Sequence, residues 1–329
     1  MLILAGNDLR KALPMKETIE AMKQAFASLS DGKAQVPLRT QLKISSQDGT
    51  SLFMPAYVET NQERALAIKV VSLFPHNPSR GLAYIQAAVL VLDAETGRPL
   101  ALLEGNLLTA IRTGAAGGAA IDLLSRPESH ILAIFGAGVQ GRTQLEAACS
   151  VRKIETAFIF DPDPKRSQSI VAEMAGRGPI TRDLRVAQNP TETVRTADII
   201  CTATTAIKPV FADGDLKAGT HITGIGSYTP SMQEVPEETV ERALVFVDSH
   251  PATLAEAGDL IIPLQAGRFD VTHISNELGE LVLGRKVGRA SSEQITFFKS
   301  VGVAVQDAMA AHLALENAER LQLGRQVDF

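Results

Sequence analysis

The hydrophobic positions change period along the chain, and that change divides it. Ile19, Met22, Phe26 and Leu29 recur at helical spacing, Pro14 suits a first turn, and Asp31-Gly32 closes the run, which predicts an opening helix. Strand-length apolar runs follow at Thr40–Ile44, 51–58, 65–74, 87–92 and 99–103. Asp93-Ala94-Glu95-Thr96-Gly97 joins the last two as a hairpin connection. Short turns between consecutive strands predict a mostly antiparallel sheet, an α+β region.

From about Asn106 the texture differs. Residues 107–124 read as a helix crowded with small side chains, Thr113-Gly114-Ala115-Ala116-Gly117-Gly118-Ala119-Ala120. A mid-helix glycine costs about 1 kcal/mol against alanine, so close approach of another backbone is the expected compensation. Beyond it, a strand at 130–135, a helix at 138–150, a strand at Thr156–Phe160 and a helix at 165–175 alternate, and short apolar runs recur at 197–202, 220–224 and 243–248. This alternation predicts βαβ units around a parallel sheet. A last amphipathic helix over about 292–323 carries no domain of its own and is expected to pack back on the first region.

Composition narrows the class. The 329 residues are 45% hydrophobic and 21% charged, values of a globular chain long enough for two domains. Lys and Arg number 32 against 37 Asp and Glu, a net charge of −5 that offers no footprint for nucleic acid and no polybasic membrane anchor. No apolar run approaches the roughly 20 residues that cross a bilayer, and the amino-terminal stretch lacks the basic region of a signal peptide. The expectation is a soluble cytoplasmic protein. Cys149 and Cys201 cannot build a disulfide framework or a four-thiolate zinc site, and the six histidines are scattered, so no metal is expected.

The most specific local signal is the apolar strand His130-Ile131-Leu132-Ala133-Ile134-Phe135 running into Gly136-Ala137-Gly138-Val139-Gln140-Gly141. This G-x-G-x-x-G turn follows a strand, opens a helix and precedes a second strand ending at Asp161, 20 positions beyond Gly141. Gly136 suits the tight turn, Gly138 the approach of a pyrophosphate, and Gly141 close helix–strand packing, with the helix amino terminus facing the phosphates. The alternative is an ordinary βα turn with Asp161 as a helix cap. Asp161 favours NAD(H), since a carboxylate accepts from ribose hydroxyls and repels a 2′-phosphate; Lys165 and Arg166 keep NADP(H) possible. Three cations stand out in apolar settings: Lys69 within 65–74, Arg112 within 107–116, and Arg39. Each is a candidate for a substrate carboxylate or a proton relay; the alternative is a snorkelling side chain or a structural ion pair.

These residues also carry a resemblance over essentially the whole chain. The stretches are Val36-Pro37-Leu38-Arg39-Thr40, Phe53-Met54-Pro55-Ala56-Tyr57, Pro75-His76-Asn77-Pro78-Ser79-Arg80-Gly81-Leu82 and Thr96-Gly97-Arg98-Pro99-Leu100-Ala101. They continue in Leu108-Thr109-Ala110-Ile111-Arg112-Thr113-Gly114, the glycine-rich turn, 196–204, and Lys299-Ser300-Val301-Gly302. The chain resembles the ornithine cyclodeaminase/mu-crystallin family. The resemblance implies an α/β protein in which a Rossmann-type NAD(P)-binding domain, 113–303, is inserted into an α+β substrate-binding and dimerisation domain, 1–112 plus about 304–329. It implies a homodimer acting on a small amino or imino acid. Arg39, Lys69 and Arg112 would face the substrate, with Met54 and Val301 lining its pocket. Tyr84, Arg112, Thr113, Gly136, Gly138, Val139, Gln140, Gly141, Asp161, Thr202, Ile222, Ile225 and Ser300 would serve the dinucleotide.

One departure bears on chemistry. Cyclodeaminases place an acid–base aspartate where this chain has Tyr228, in Gly224-Ile225-Gly226-Ser227-Tyr228-Thr229-Pro230. A phenol of ordinary pKa ~10 is a poor base at neutral pH. The departure moves the expectation toward hydride transfer at a C=N or C–N bond, as in pyrroline-2-carboxylate and ketimine reductases or the alanine dehydrogenases of the family, with Lys69 and Tyr228 as the catalytic candidates. Ornithine cyclodeamination and a non-catalytic binding role like that of the lens relative are the alternatives.

Overall fold

In a computed structural model the structure describes residues 1–60, 64–274 and 276–328. Contacts group the chain into two compact units, Met1–Arg112 with Val303–Phe329, and Thr113–Gly302.

The first unit opens with β1 (Leu2–Leu4) and α1 (Gly6–Ala12), ahead of α2 (Met15–Ser30). The sequence pattern predicts only α2. β1 is three residues long and α1 seven, too short for periodicity to register. Pro14 is the N-cap of α2 rather than a member of its first turn, and Ile19, Met22 and Phe26 are wholly buried. Then come β2 (Ala34–Gln35), β3 (Thr40–Ile44), β4 (Gly49–Glu59), β5 (Arg64–Leu73), β6 (Ile85–Leu92) and β7 (Pro99–Glu104). β3 to β7 pair antiparallel with their chain neighbours, while β1 joins β7 in parallel. The β6–β7 turn closes because Asp93 Oδ1 accepts from the amides of Glu95 and Thr96, with Gly97 at φ +73°. α3 (Gly105–Leu124) follows directly.

The second unit takes up α3 from Thr113 and continues through β8 (Ile131–Phe135), α4 (Val139–Val151), β9 (Thr156–Phe160), α5 (Pro164–Met174), β10 (Asp183–Val186) and α6 (Pro190–Thr196). It goes on through β11 (Ile199–Thr202), β12 (His221–Gly224), α7 (Glu237–Arg242), β13 (Leu244–Val247), α8 (His250–Glu256), α9 (Gly258–Gln265), β14 (Asn276–Glu277), α10 (Leu278–Val282) and β15 (Thr296–Lys299). The sheet order is β10-β9-β8-β11-β12-β15-β13-β14, with every pairing parallel. Both faces are buried, Ala133 and Phe135 in one core and Leu132 and Ile134 in the other, which is why these strands read as unbroken apolar runs. The glycines of α3 are explained here: a Cβ on Gly114 would strike the backbone of Thr143, and one on Gly117 the Gln144 side chain. Gln144 Nε2 donates to the Thr113 carbonyl at 3.0 Å, pinning α4 to α3.

The chain then returns to the first unit as α11 (Ala304–Leu321) and β16 (Arg325–Gln326), the latter pairing with β1. α11 is shorter than the 292–323 helix read from the sequence. Thr296-Phe297-Phe298-Lys299 is β-branched and aromatic and pairs as β15, and Gly302 at φ +85° breaks the path before Ala304. A second correction concerns length. α3 is long and apolar enough to span a membrane by composition, contrary to the expectation, yet 78% of its most apolar window is buried inside the fold.

Candidate functional site

In the second unit the chemistry gathers at the carboxyl ends of the parallel strands. β8 leads to β9 and β10 on one side, and β11 lies on its other side, so the sheet order reverses between β8 and β11, the place where open α/β sheets bind ligands. The glycine-rich turn sits there. Gly136 has φ +102° and faces the Ala203 carbonyl, and Gly141 packs on the Gly136 carbonyl, so neither position admits a side chain. A Cβ on Gly138 would meet nothing within 4 Å, so the backbone there is open. Gly138 is the N-cap of α4, and no side chain caps that end. Val139 is exposed and Gln140 half-buried beside it.

Asp161 is held by the turn it faces. Its Oδ2 accepts the Ala137 amide at 2.9 Å and its Oδ1 the Asp163 amide at 3.0 Å. Each oxygen keeps a lone pair for a further donor. Gly136, Gly138, Phe160, Asp161, Arg166 and Thr204 line a cavity of about 520 Å³. The open backbone at Gly138, the uncapped α4 and a carboxylate with spare acceptor capacity fit the pyrophosphate and ribose of a dinucleotide.

Thr202 ends β11, Ile222 lies within β12 and Ile225 follows it, all with their side chains buried. The Thr202 hydroxyl is committed to Glu234 Oε2 at 2.9 Å, and Ile222 belongs to the core, so both shape the site through backbone position. Glu234 escaped sequence reading. Its two oxygens also take the amides of Thr204 and Gly226, both at 2.6 Å, and of Ser227 at 3.2 Å, so one buried carboxylate ties together the loops that follow β11 and β12. Burial pushes its carboxyl up, with Lys299 opposing and Asp259 adding to the rise. Asp259 in turn accepts the Glu234 and Val235 amides and lies 3.4 Å from Lys299 Nζ. Tyr228 is 48% exposed on the loop that Glu234 anchors. Ser300 and Val301 leave β15 tied to Asp248. Thr113 is buried and presents its carbonyl to Gln144.

In the first unit the candidate cations converge. Lys69 lies on the face of β5 that packs on α11, is 3% exposed, and has Met54 and Val89 as cross-strand neighbours. Its Nζ is 2.6 Å from Asp307 Oδ2. Arg112 Nε donates to Asp307 Oδ1 at 2.9 Å and Nη1 to Gln306 Oε1 at 2.8 Å. Arg39 is half-buried and close enough to act on Lys69. Burial lowers the Lys69 pKa; Asp307 opposes the fall, and Arg112 and Arg39 deepen it, leaving the group at about 8. Burial pushes Asp307 up, and Arg112 and Lys69 overcome this to hold it below the ordinary carboxylate range. Lys69 and Arg112 share the Asp307 carboxylate, two cations on one anion, an arrangement that suits a small anion. Met54 is buried beside Lys69, while Tyr84 is 43% exposed after the 75–82 loop. Asp307 and Gln306 escaped sequence reading; both are buried on α11, and an acidic residue on a helix does not stand out before its partners are known.

The family model described as ornithine cyclodeaminase/mu-crystallin matches residues 2–322. A Δ1-pyrroline-2-carboxylate reductase of Bacillus cereus is 37% identical, each chain covered over 100% of its length. A solved structure of the Thermococcus litoralis Δ1-pyrroline-2-carboxylate reductase in complex with NADH and L-proline superposes with a TM-score of 0.92 at 44% identity, covering 99% of this chain and 100% of that one. An archaeal alanine dehydrogenase dimer with bound NAD gives 0.90 at 32% identity, covering 100% of this chain and 99% of that one.

Proposed function

The chain belongs to the ornithine cyclodeaminase/mu-crystallin family, and on that premise we propose which reaction its own residues perform. It is an NAD(H)-dependent oxidoreductase of small α-imino and α-amino acids, with Δ1-pyrroline-2-carboxylate as the preferred substrate and L-proline as the product. The observation that carries this reading is the buried Lys69–Asp307–Arg112 cluster, which supplies both an anion site and a titratable donor.

Arg112 spends Nε and Nη1 inside the protein, which leaves Nη2 for the substrate carboxylate, and Arg39 adds a second positive group. Guanidinium groups are suited to this because they stay charged at any working pH. Lys69 holds the proton. With a pKa of about 8 it is an ammonium at neutral pH and gives its proton up readily, as a general acid operating near neutrality must. A nicotinamide cofactor, when bound, would supply the hydride that reduces C=N to CH–NH, and Lys69 would protonate the nitrogen. The second unit would hold the dinucleotide, with Asp161 facing the ribose hydroxyls and the Gly136–Gly141 turn facing the pyrophosphate. We assign the proton to Lys69 rather than to Tyr228. Metal has no part in this scheme, the cofactor is NAD(H) rather than NADP(H), and the setting is cytoplasmic.

The assembly is a homodimer. Pro55, Ile68, Leu90 and Leu102 are paired across β4, β5, β6 and β7 and form an apolar row. Ile68 neighbours Lys69 in sequence, so the row lies on the sheet face away from α11. These side chains are only partly buried, a surface suited to a second copy.

The test supplies purified protein with Δ1-pyrroline-2-carboxylate and NADH or NADPH, with pyruvate plus ammonia and NADH, and separately with L-ornithine and NAD⁺. Consumption of NADH with the cyclic imine, absent in Lys69→Ala with NADH affinity retained, is the expected result. Ammonia and proline from ornithine would overturn it in favour of cyclodeamination.

A further inference from the structure

Lys69 is flanked within its sheet by Met54 and Val89, neither of which carries charge, so its electrostatic surroundings come from other elements. Those that face it are Arg112 from α3, Arg39 from the segment before β3, and Asp307 from α11. Two of the three are guanidinium groups, and both disfavour a neighbouring ammonium. Asp307 is the acidic group among them.

Its placement is fixed from behind. Oδ1 is anchored on Arg112 Nε at 2.9 Å, while Gln306, the preceding residue of α11, accepts both Arg112 Nη1 at 2.8 Å and the Val303 amide at 2.9 Å. With one oxygen so held, Oδ2 lies 2.6 Å from Lys69 Nζ. The carboxylate is 1% exposed and has no freedom to turn to water.

We infer that Asp307 is a positioning residue that keeps Lys69 a cation and aims its ammonium, so that proton delivery to the substrate nitrogen depends on a carboxylate contributed by α11. The inference rests on Lys69 being the proton donor proposed above. In the transfer, one proton passes from Lys69 Nζ to the imine nitrogen and Lys69 becomes a neutral amine. Asp307 stays ionised throughout, and solvent restores the ammonium after product leaves. With Asp307 present, burial and the two guanidinium groups still bring Lys69 to about 8; with it gone, neither guanidinium opposes the effect of burial.

The experiment follows the lysine ε-carbons by ¹³C NMR in protein without added cofactor, with Lys69→Arg identifying the Lys69 signal. Wild type should titrate near 8, and Asp307→Asn should titrate lower by about one pH unit. The alkaline limb of imine reduction should move by the same amount, about a tenfold loss of rate on that limb. Asp307→Glu should keep the limb near its wild-type position, and NADH affinity, read by fluorescence, should be unchanged in both variants. A Lys69 titration that does not move in Asp307→Asn overturns the inference. A wild type that reduces no imine, yet whose Lys69 signal shifts in Asp307→Asn, overturns the proton-donor reading while upholding the counter-ion. If Asp307→Asn is too unstable to titrate, Lys69→Met/Asp307→Asn should recover part of the lost melting temperature, and no recovery overturns the inference.

Discussion

The Ser300 hydroxyl donates to Asp248 Oδ2 at 2.7 Å, and the same oxygen receives the amides of Val301 and Gly302 at 3.0 and 2.8 Å. One carboxylate thus fixes three consecutive residues where the chain leaves β15. Burial pushes the Asp248 carboxyl up, and these three donors oppose it. Asp248→Ala should cost about 2–4 kcal/mol of stability, since it leaves buried donors unsatisfied. It should also weaken NADH binding about tenfold, an effect of roughly 1.4 kcal/mol. Denaturant unfolding and fluorescence titration measure the two, and unchanged NADH affinity in the folded variant would remove Ser300 from the cofactor site.

The glycines separate by what surrounds them. Gly117→Ala drives a methyl into Gln144 and should destabilise by about 1–3 kcal/mol. Gly138→Ala meets open space and should leave stability within about 0.5 kcal/mol of wild type while impairing the dinucleotide. Melting curves with and without NADH distinguish the positions; a Gly138→Ala protein that binds NADH normally would contradict a pyrophosphate at that turn.

Asp161→Ser removes a carboxylate that holds two amides of its own chain. NADH affinity should fall about tenfold, with NADPH affinity equal or improved, since the repulsion of a 2′-phosphate is relieved. Titration with both cofactors reads the ratio, and an unchanged ratio would assign cofactor choice elsewhere.

Ile68→Glu places a charge in the apolar row of the β4–β7 sheet, on the face opposite Lys69. Sedimentation should show a homodimer for the wild type and a shift toward monomer for the variant. A variant with wild-type sedimentation would place the interface on another surface.

The local elements were the legible part of the sequence. Thr40–Ile44 and Thr156–Phe160 form strands with the ends read from the chain, and the parallel sheet was visible because its central strands are apolar on both faces. β1 and α1 were invisible because each is too short to show a period. β15 was absorbed into a longer helix because Thr296-Phe297-Phe298-Lys299 is four residues of apolar pattern, a length at which strand and helix do not separate. At the site, Lys69 and Arg112 stood out as charges within apolar segments. Asp307 and Glu234 did not, because an acidic residue on a helix or in a loop is unremarkable until its partner is known, and Asp307 is 195 residues from Arg112. Sequence reading locates the groups that disturb a local pattern; the groups that neutralise them come from elsewhere in the chain.

The return of α11 has a consequence for biosynthesis. A ribosome makes Lys69 and Arg112 early, then the whole of the second unit, and only afterwards the helix that carries Asp307. Until that helix arrives, β4 and β5 lack the partner that covers their inner face, and two cations that the finished fold conceals have no carboxylate between them. A chain truncated before Ala304 therefore has a dinucleotide unit complete in sequence beside a first unit with an open core. Such a product would leave the inner face of β4 and β5 uncovered, an apolar surface carrying two cations, so the last-made helix closes both the core and the charge balance of the first-made strands.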